Sequence, residues 1–269
     1  MLVDLQFHVE SPTSCSIPFT GPSLRAAFLK MVHEHSPELG DELHHGQGSR
    51  PYSIDPFPFD RQFRTHLTAG EMYTFSVRIM DSDDLSEHIR NMALRQSQVL
   101  QVQGLEFPIR SMDFRRWDPK SLWDELALIP EMKDGERINI HMSFLTPTQL
   151  SQFDSDMVYL LPDPEKIFSS TLRLWNLGAD DKRVEPISDY RHWVQRNIFV
   201  SRHHIRTRRV LMGPERPVVG FLGDVTFTMI PEGDLYSSLT PVLARFSELT
   251  NIGKNRTAGF GKVNVTVAR

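Results

Sequence analysis

Cysteine is nearly absent from this chain: Cys15 is the single one in 269 residues, which excludes an internal disulfide and any zinc site built on several thiolates. Long apolar runs are missing as well. No window approaches the roughly 18 apolar residues of a membrane span, and the opening MLVDLQFHVES is too acidic and too briefly apolar for a signal peptide. A reducing, cytoplasmic setting without a membrane partner is the expectation. A nucleotide-phosphate loop is missing too, because Lys254 follows Gly253 with no glycine four residues upstream, and the glycines follow a helix instead of introducing one. Asp81, Asp83 and Asp84 cluster before a helical pattern and read as N-caps, so a two-metal nuclease finds no carboxylate set, and neither metal nor cofactor is expected.

What is present is an ordinary apolar fraction of 39%, enough for real cores. Val3, Leu5, Phe7 and Val9 alternate as an opening strand. Pro22 and Ser23 then open a helix with Leu24, Ala27, Phe28 and Met31 on one face, and a shorter helix follows over Pro37 to His44. RPYSIDPFPF from Arg50 suits an edge strand, Tyr73 to Ile79 alternates as a strand, Leu85 to Leu94 is helical, and Val99 to Phe114 holds one or two strands. The order β, α, β, β, α, β is the ferredoxin-like arrangement. Asp118 to Gly135, polar and broken by Pro119 and Pro130, reads as the connection. A second set begins with Arg137 to Phe144, continues with a helix over Pro164 to Gly178 and a long hairpin from Val200 to Ile230, and closes with a helix, a glycine-rich loop and a last strand. The expectation is an α+β protein of two tandem ferredoxin-like (RRM-like) βαββαβ domains, residues 1–118 and 136–269, joined by a linker over 119–135.

Net charge is −4, yet charge is unevenly spread. Arg191 to Pro217 holds seven arginines, three histidines and one acid. Arg202, Arg206, Arg208 and Arg209 are therefore candidates for phosphate contact, with Arg206 and Arg208 on one strand face and Arg209 on the other. The loop Asn251 to Val263, NIGKNRTAGFGKV, interleaves Gly253, Gly259 and Gly261 with Lys254, Arg256 and Lys262. Glycines permit close backbone approach, and the cations and N–H groups supply positive potential, so this loop and Asn255 are candidates for a polymer backbone lying across it.

Eleven histidines are present. His8 and His141 lie in strand patterns and read as core or polar sheet face; His33, His35, His88 and His192 read as solvated; His66 reads as a loop residue with no evident partner. His203 and His204 belong to the Arg-rich hairpin. His44 and His45 end a short helix six residues before Arg50, counted from His44, beside a glycine-containing loop; a helix C-terminus favours a charged imidazole.

The helix, the loop wording GKNRTAGFGKV and the terminal strand resemble the C-terminal signature of the CRISPR-associated repeat-RNA endoribonucleases of the Cas-six family, within the RAMP superfamily. The resemblance extends over nearly the whole chain and implies the same tandem fold. In that family the general acid or base is commonly a histidine in the early helical region, followed by a cation and an extended aromatic-Ser/Thr segment. SPELGDELHHGQGSRPYSIDPF is similar, with His44 at the histidine position and Arg50 as the cation. Some relatives place a tyrosine about fifteen residues earlier; here Leu29 and Lys30 stand there, and Lys30 is a candidate substitute. The implied reaction is metal-independent attack of a ribose 2′-hydroxyl on the adjacent phosphate of CRISPR repeat RNA. The implied partners are that RNA and other subunits of an effector complex, with a homodimer left open. A non-catalytic RNA-binding RAMP subunit shares the fold and the loop and is the alternative; a ferredoxin-like metabolic protein is a third.

Overall fold

The computed structural model describes residues 2–45, 50–80, 91, 99–127, 136–152, 155–179, 183–212 and 216–268. The expected helix Leu85 to Leu94, apart from Asn91, the three aspartates before it, and the side chain of His45 lie outside the described residues. Two compact units are present: Met1–Arg116 with Val210–Pro217 and Thr257–Gly259, and Trp117–Arg209 with Val218–Arg256 and Phe260–Arg269.

In the first unit, β1 (Leu2–Glu10) buries Val3, Leu5, Phe7 and Val9, the alternation that makes a half-covered strand. A two-residue turn joins β6 (Val99–Val102) to β7 (Leu105–Trp117), with positive φ at both Gln103 and Gly104, as a tight hairpin requires. With β3 (Tyr52–Asp55) and β5 (Met72–Met80) these strands form a sheet in the order β3-β5-β1-β7-β6. Apart from the added β6, that is the second-third-first-fourth order of a ferredoxin-like unit. Phe7 and Phe75 stack across β1 and β5 at 4.7 Å. Helix α1 (Gly21–His35) lays Leu24, Ala27, Phe28 and Met31 on the sheet, and α2 (Pro37–His45) packs on α1 where Gly40 faces His33. A Cβ at Gly40 would come within 2.7 Å of the His33 Cβ, so this contact depends on glycine.

The Pro/Ser/Thr-rich stretch after β1 also contains a strand. β2 (Cys15–Pro18) pairs with β4 (Arg64–Leu67), which places His66 on a strand and not in a loop. Its Nε2 lies 2.9 Å from Asp60 Oδ2, correcting the expectation that it lacks a partner. Hydrogen bonds from the Arg64 backbone and the His66 ring hold the Asp60 carboxyl below its usual range.

The second unit repeats the plan. β8 (Ile138–Thr148), β11 (Ile198–Leu211), β12 (Pro217–Met229) and β13 (Val263–Ala268) form a sheet in the order β11-β12-β8-β13. Helices α4 (Pro164–Gly178) and α6 (Leu235–Thr250) start at Asp163 and Asp234, whose carboxylates accept from the N–H groups of Lys166 and Ser237. The short ribbon β9 (Leu150–Gln152) and β10 (Ser155–Tyr159), with α5 (Ile187–Asn197), completes it. Part of the expected connection is helical: Asp118 caps α3 (Pro119–Leu126), accepting from the N–H groups of Lys120 and Ser121. Asp-Pro, read as a breaker, is here an N-cap followed by proline at the first helical position. Among the described residues no helix is long and apolar enough to cross a membrane.

A buried charge cluster ties three strands of the first unit. Arg78 on β5 donates to Asp55 on β3 at 2.9 Å and its Nε faces Asp4 on β1 at 3.4 Å, an ion-pair distance outside hydrogen-bond alignment. Burial alone would lower the guanidinium pKa, but Asp55 and Asp4 outweigh it and the net shift is upward. Arg78→Met should leave two buried carboxylates uncompensated and cost about 3–5 kcal/mol of stability in urea unfolding. The deficit should shrink as pH falls, because protonation removes the buried charge; a loss independent of pH would refute the electrostatic reading.

Candidate functional site

The glycine-rich loop is sewn to the end of β8. Its two ends are pinched where the Ile252 N–H donates to the Gly261 carbonyl at 2.8 Å. Lys254 N–H donates to Gln149 O at 2.8 Å, Gly261 N–H to Pro147 O at 3.3 Å, and Lys262 N–H to Thr146 Oγ1 at 2.8 Å. Asn255, at φ +61°, donates from Nδ2 to Gln149 Oε1.

These bonds explain the glycines differently from an anion cradle. A Cβ on Gly261 would lie 1.8 Å from the Ile252 carbonyl oxygen, and one on Gly253 would lie 2.1 Å from that of Gln149, both at positive φ. The close approach that glycine permits is therefore to the protein's own backbone. Gly259 belongs to the first unit, where a Cβ would meet Pro56 at 3.1 Å, and it is buried. The loop's outer surface is Gly253, Lys254, Asn255 and Lys262, all partly exposed. Arg256 corrects the expected phosphate contact: it is 6% exposed, and its Nη1 donates to the Thr250 carbonyl at 3.3 Å. Its guanidinium supports the loop from inside.

Arg202, Arg206, Arg208 and Arg209 are exposed on β11, an edge strand of the second sheet. Among the described residues none of the four is drawn into an ion pair, whereas Arg191 is held by Glu165 at 2.6 Å. Such a row of solvated guanidinium groups suits phosphate.

In the first unit His44 is exposed near the C-terminal end of α2, one residue after the buried Leu43. Arg50 Nη1 donates to the Leu43 carbonyl, so the candidate cation closes the last turn of the helix that carries the candidate histidine. Lys30 is exposed on α1 and sits 3.7 Å from Glu34, one helical turn on.

Residues 142–263 match the family model described as CRISPR-associated endoribonuclease Cas6. Over that segment the chain is similar to the Cas6 family. No curated protein matches it in sequence. Among solved structures, a Cas6 product complex superposes with a TM-score of 0.72 at 18% identity, covering 99% of each chain. Thermus thermophilus Cas6 gives 0.66 at 18% identity, over 99% of this chain and 98% of that one. The product of a Cas6-related gene from Pyrococcus furiosus gives 0.57 at 13% identity, over 99% of each. The tandem ferredoxin-like α+β fold of the Cas6 chains thus spans this one almost end to end.

Gly261→Ala should be far more damaging than Gly70→Ala. Both glycines have positive φ, but a Cβ at Gly70 meets nothing within 4 Å. Thermal unfolding should register about 1 kcal/mol for Gly70→Ala and on the order of 3 kcal/mol or more for Gly261→Ala. Equal losses would mean that the pinch contributes nothing beyond backbone strain.

Proposed function

We propose that this chain is a metal-independent endoribonuclease that binds CRISPR repeat RNA and cleaves it to give guide RNAs. The observation that carries this reading is the Cas6 family match through β8 and the glycine-rich loop. An exposed histidine, His44, next in sequence to the Leu43 carbonyl that Arg50 holds, supports it.

In the proposed reaction, the ribose 2′-oxygen forms a bond to the adjacent phosphorus as the bond from phosphorus to the 5′-oxygen breaks. The 2′-hydroxyl gives up its proton and the departing 5′-oxygen gains one, leaving a 2′,3′-cyclic phosphate and a 5′-hydroxyl. An imidazole titrates near neutrality and can serve at either end, the role assigned to His44, with His45 as its neighbour in the sequence. Lys30 and Arg50 are the candidate cations for the charge that develops on the phosphorane. Arg202, Arg206, Arg208, Arg209, Lys254 and Lys262 are assigned to the RNA backbone, with the surface of Gly253 and Asn255 alongside. The same family reading proposes action in the cytoplasm and association with other subunits of an effector complex.

One observation favours the second reading, a binding subunit that does not cut. Both candidate cations already have partners, Arg50 at the Leu43 carbonyl and Lys30 beside Glu34, which leaves each with fewer donors for phosphate.

Incubation of the purified chain with repeat RNA in EDTA, followed by end-group analysis, separates the two. Cleavage leaving 5′-hydroxyl ends, abolished in His44→Ala while RNA affinity holds, is the expected result. Binding without any cut would favour the second reading. Lys254→Ala should reduce the slope of log affinity against log salt by about 0.7, the share of one phosphate contact on a single strand. Arg256→Ala should leave that slope alone and lower stability by about 1–3 kcal/mol, through the buried carbonyl it leaves unpaired.

A further inference from the structure

The second sheet turns one face to its helices and the other to solvent, and the solvent face carries a pattern of its own. Ile138, Ile140, Met142 and Phe144 of β8 are buried, with Val225, Phe227 and Met229 of β12; Phe168 of α4 packs on Phe227 at 5.8 Å. The intervening residues therefore point away from the helices. On β8 and β12 these include His141, Ser143, Asp224 and Thr226. His141 lies directly across from Thr226, and its Nδ1 is 3.3 Å from the Thr226 hydroxyl. Ser143 donates to Asp224 Oδ1 at 2.6 Å, and His141 Nε2 is 3.4 Å from the Ser143 hydroxyl and 3.8 Å from that carboxylate.

Strand β11 extends the same face. Ser201 donates to the Thr226 carbonyl and lies 2.8 Å from the Thr228 hydroxyl, which fixes it on this side. Period-two alternation brings Phe199, His203 and Arg209 to that side as well. Phe199 is 48% exposed and the His141 side chain 46% exposed. Two rings thus stand open on a polar sheet, two strand spacings or about 10 Å apart across the ladder and offset by about two residues along it. The first unit places a histidine on the matching strand, with His8 across from Thr74. There both ring nitrogens are engaged, at 2.9 Å with Thr74 and 3.0 Å with Asp113, and the side chain is 26% exposed. Of the two rings, the one in the second unit is the more open.

We propose that this face of the second sheet is a stacking platform for unpaired RNA bases. Phe199 and His141 are its rings, and Asp224 accepts hydrogens from base amino groups. The inference rests on the RNA-binding reading above and assigns it a base-contacting surface separate from the phosphate contacts. A flat polar sheet with isolated exposed rings matches the π-face of a base, and such stacking tolerates any sequence. Asp224, oriented by Ser143, adds a preference for bases that carry an amino group over uracil, which has none. A protein partner would be expected to cover apolar area, and the side chains around the two rings, Ser143, Ser201, Asp224, Thr226 and Thr228, are polar, with Leu145 the exposed apolar one further along the strand of His141.

The test is fluorescence anisotropy of the full chain with labelled oligocytidylate and oligouridylate of about ten nucleotides, within the range such sheets and barrels cover. His141→Ala and Phe199→Ala should each weaken oligocytidylate binding by about five- to a hundredfold with unchanged circular dichroism, and His141→Phe should restore it. Asp224→Ala should erase the preference for oligocytidylate over oligouridylate. Affinities of both alanine variants within about twofold of wild type would overturn the platform, as would failure of His141→Phe to restore binding. A wild type with equal affinity for the two oligomers would remove the role of Asp224. If wild type binds these oligomers and repeat RNA no better than background, the RNA-binding reading falls together with the platform; if it binds repeat RNA alone, only the platform falls.

Discussion

The second unit depends on a backbone pinch: the Ile252 N–H on the Gly261 carbonyl, with Gly261 so close to Ile252 that no side chain fits between them. This contact turns the chain from α6 back into β13, which pairs along β8 from Val263 to Ala268. Each further stitch, from Lys254 to Gln149 and from Lys262 to Thr146, holds the loop against the end of the same strand. Glycine is required because main chain meets main chain. The cations are distributed by the same geometry: Arg256 is drawn inward to the Thr250 carbonyl, whereas Lys254 and Lys262 keep solvent. A loop rich in glycine and positive charge thus divides into a structural half and a surface half, and only the second half can meet a ligand.

The family match covers residues 142–263, from within β8 to the first residue of β13. That span contains both partners of the pinch and all of the stitches. The family's sequence signature is therefore, in this chain, a description of how α6 is joined to the last strand. The residues assigned to chemistry lie elsewhere, on α1, α2 and the segment after it, where the sequence offers a lysine, a pair of histidines and an arginine.

Elements whose identity rests on periodicity were legible. Alternation marked β1 and β5, and Pro164 to Gly178 was bounded by Asp-Pro at one end and glycine at the other, the limits the structure has. The ferredoxin-like order was legible because each strand declared itself separately. What escaped were contacts between distant residues: the β2 and β4 ribbon that gives His66 its place beside Asp60, and the buried Arg78 cluster, whose three members are separated by up to 74 positions yet meet because β3, β5 and β1 are neighbours. The inward turn of Arg256 escaped for a related reason. Composition reads a cation beside glycines as surface, whereas the direction of the side chain depends on a helix end that only the folded loop brings near.

The two units also show how one plan carries different chemistry. Each places a histidine on its first strand across from a threonine on its third, on the face away from the helices. In the first unit the neighbouring strand supplies Asp113, and the same face buries an arginine between two carboxylates. In the second, the acid sits on the third strand and accepts from Ser143, and the ring, 3.8 Å from it and at longer distances from its hydroxyl neighbours, is more exposed. The position of a carboxylate, one strand over, decides whether an imidazole is locked into the sheet or presented by it. The histidine–threonine pair is repeated, and polar pairing within each sheet leaves the second unit's ring the more exposed of the two.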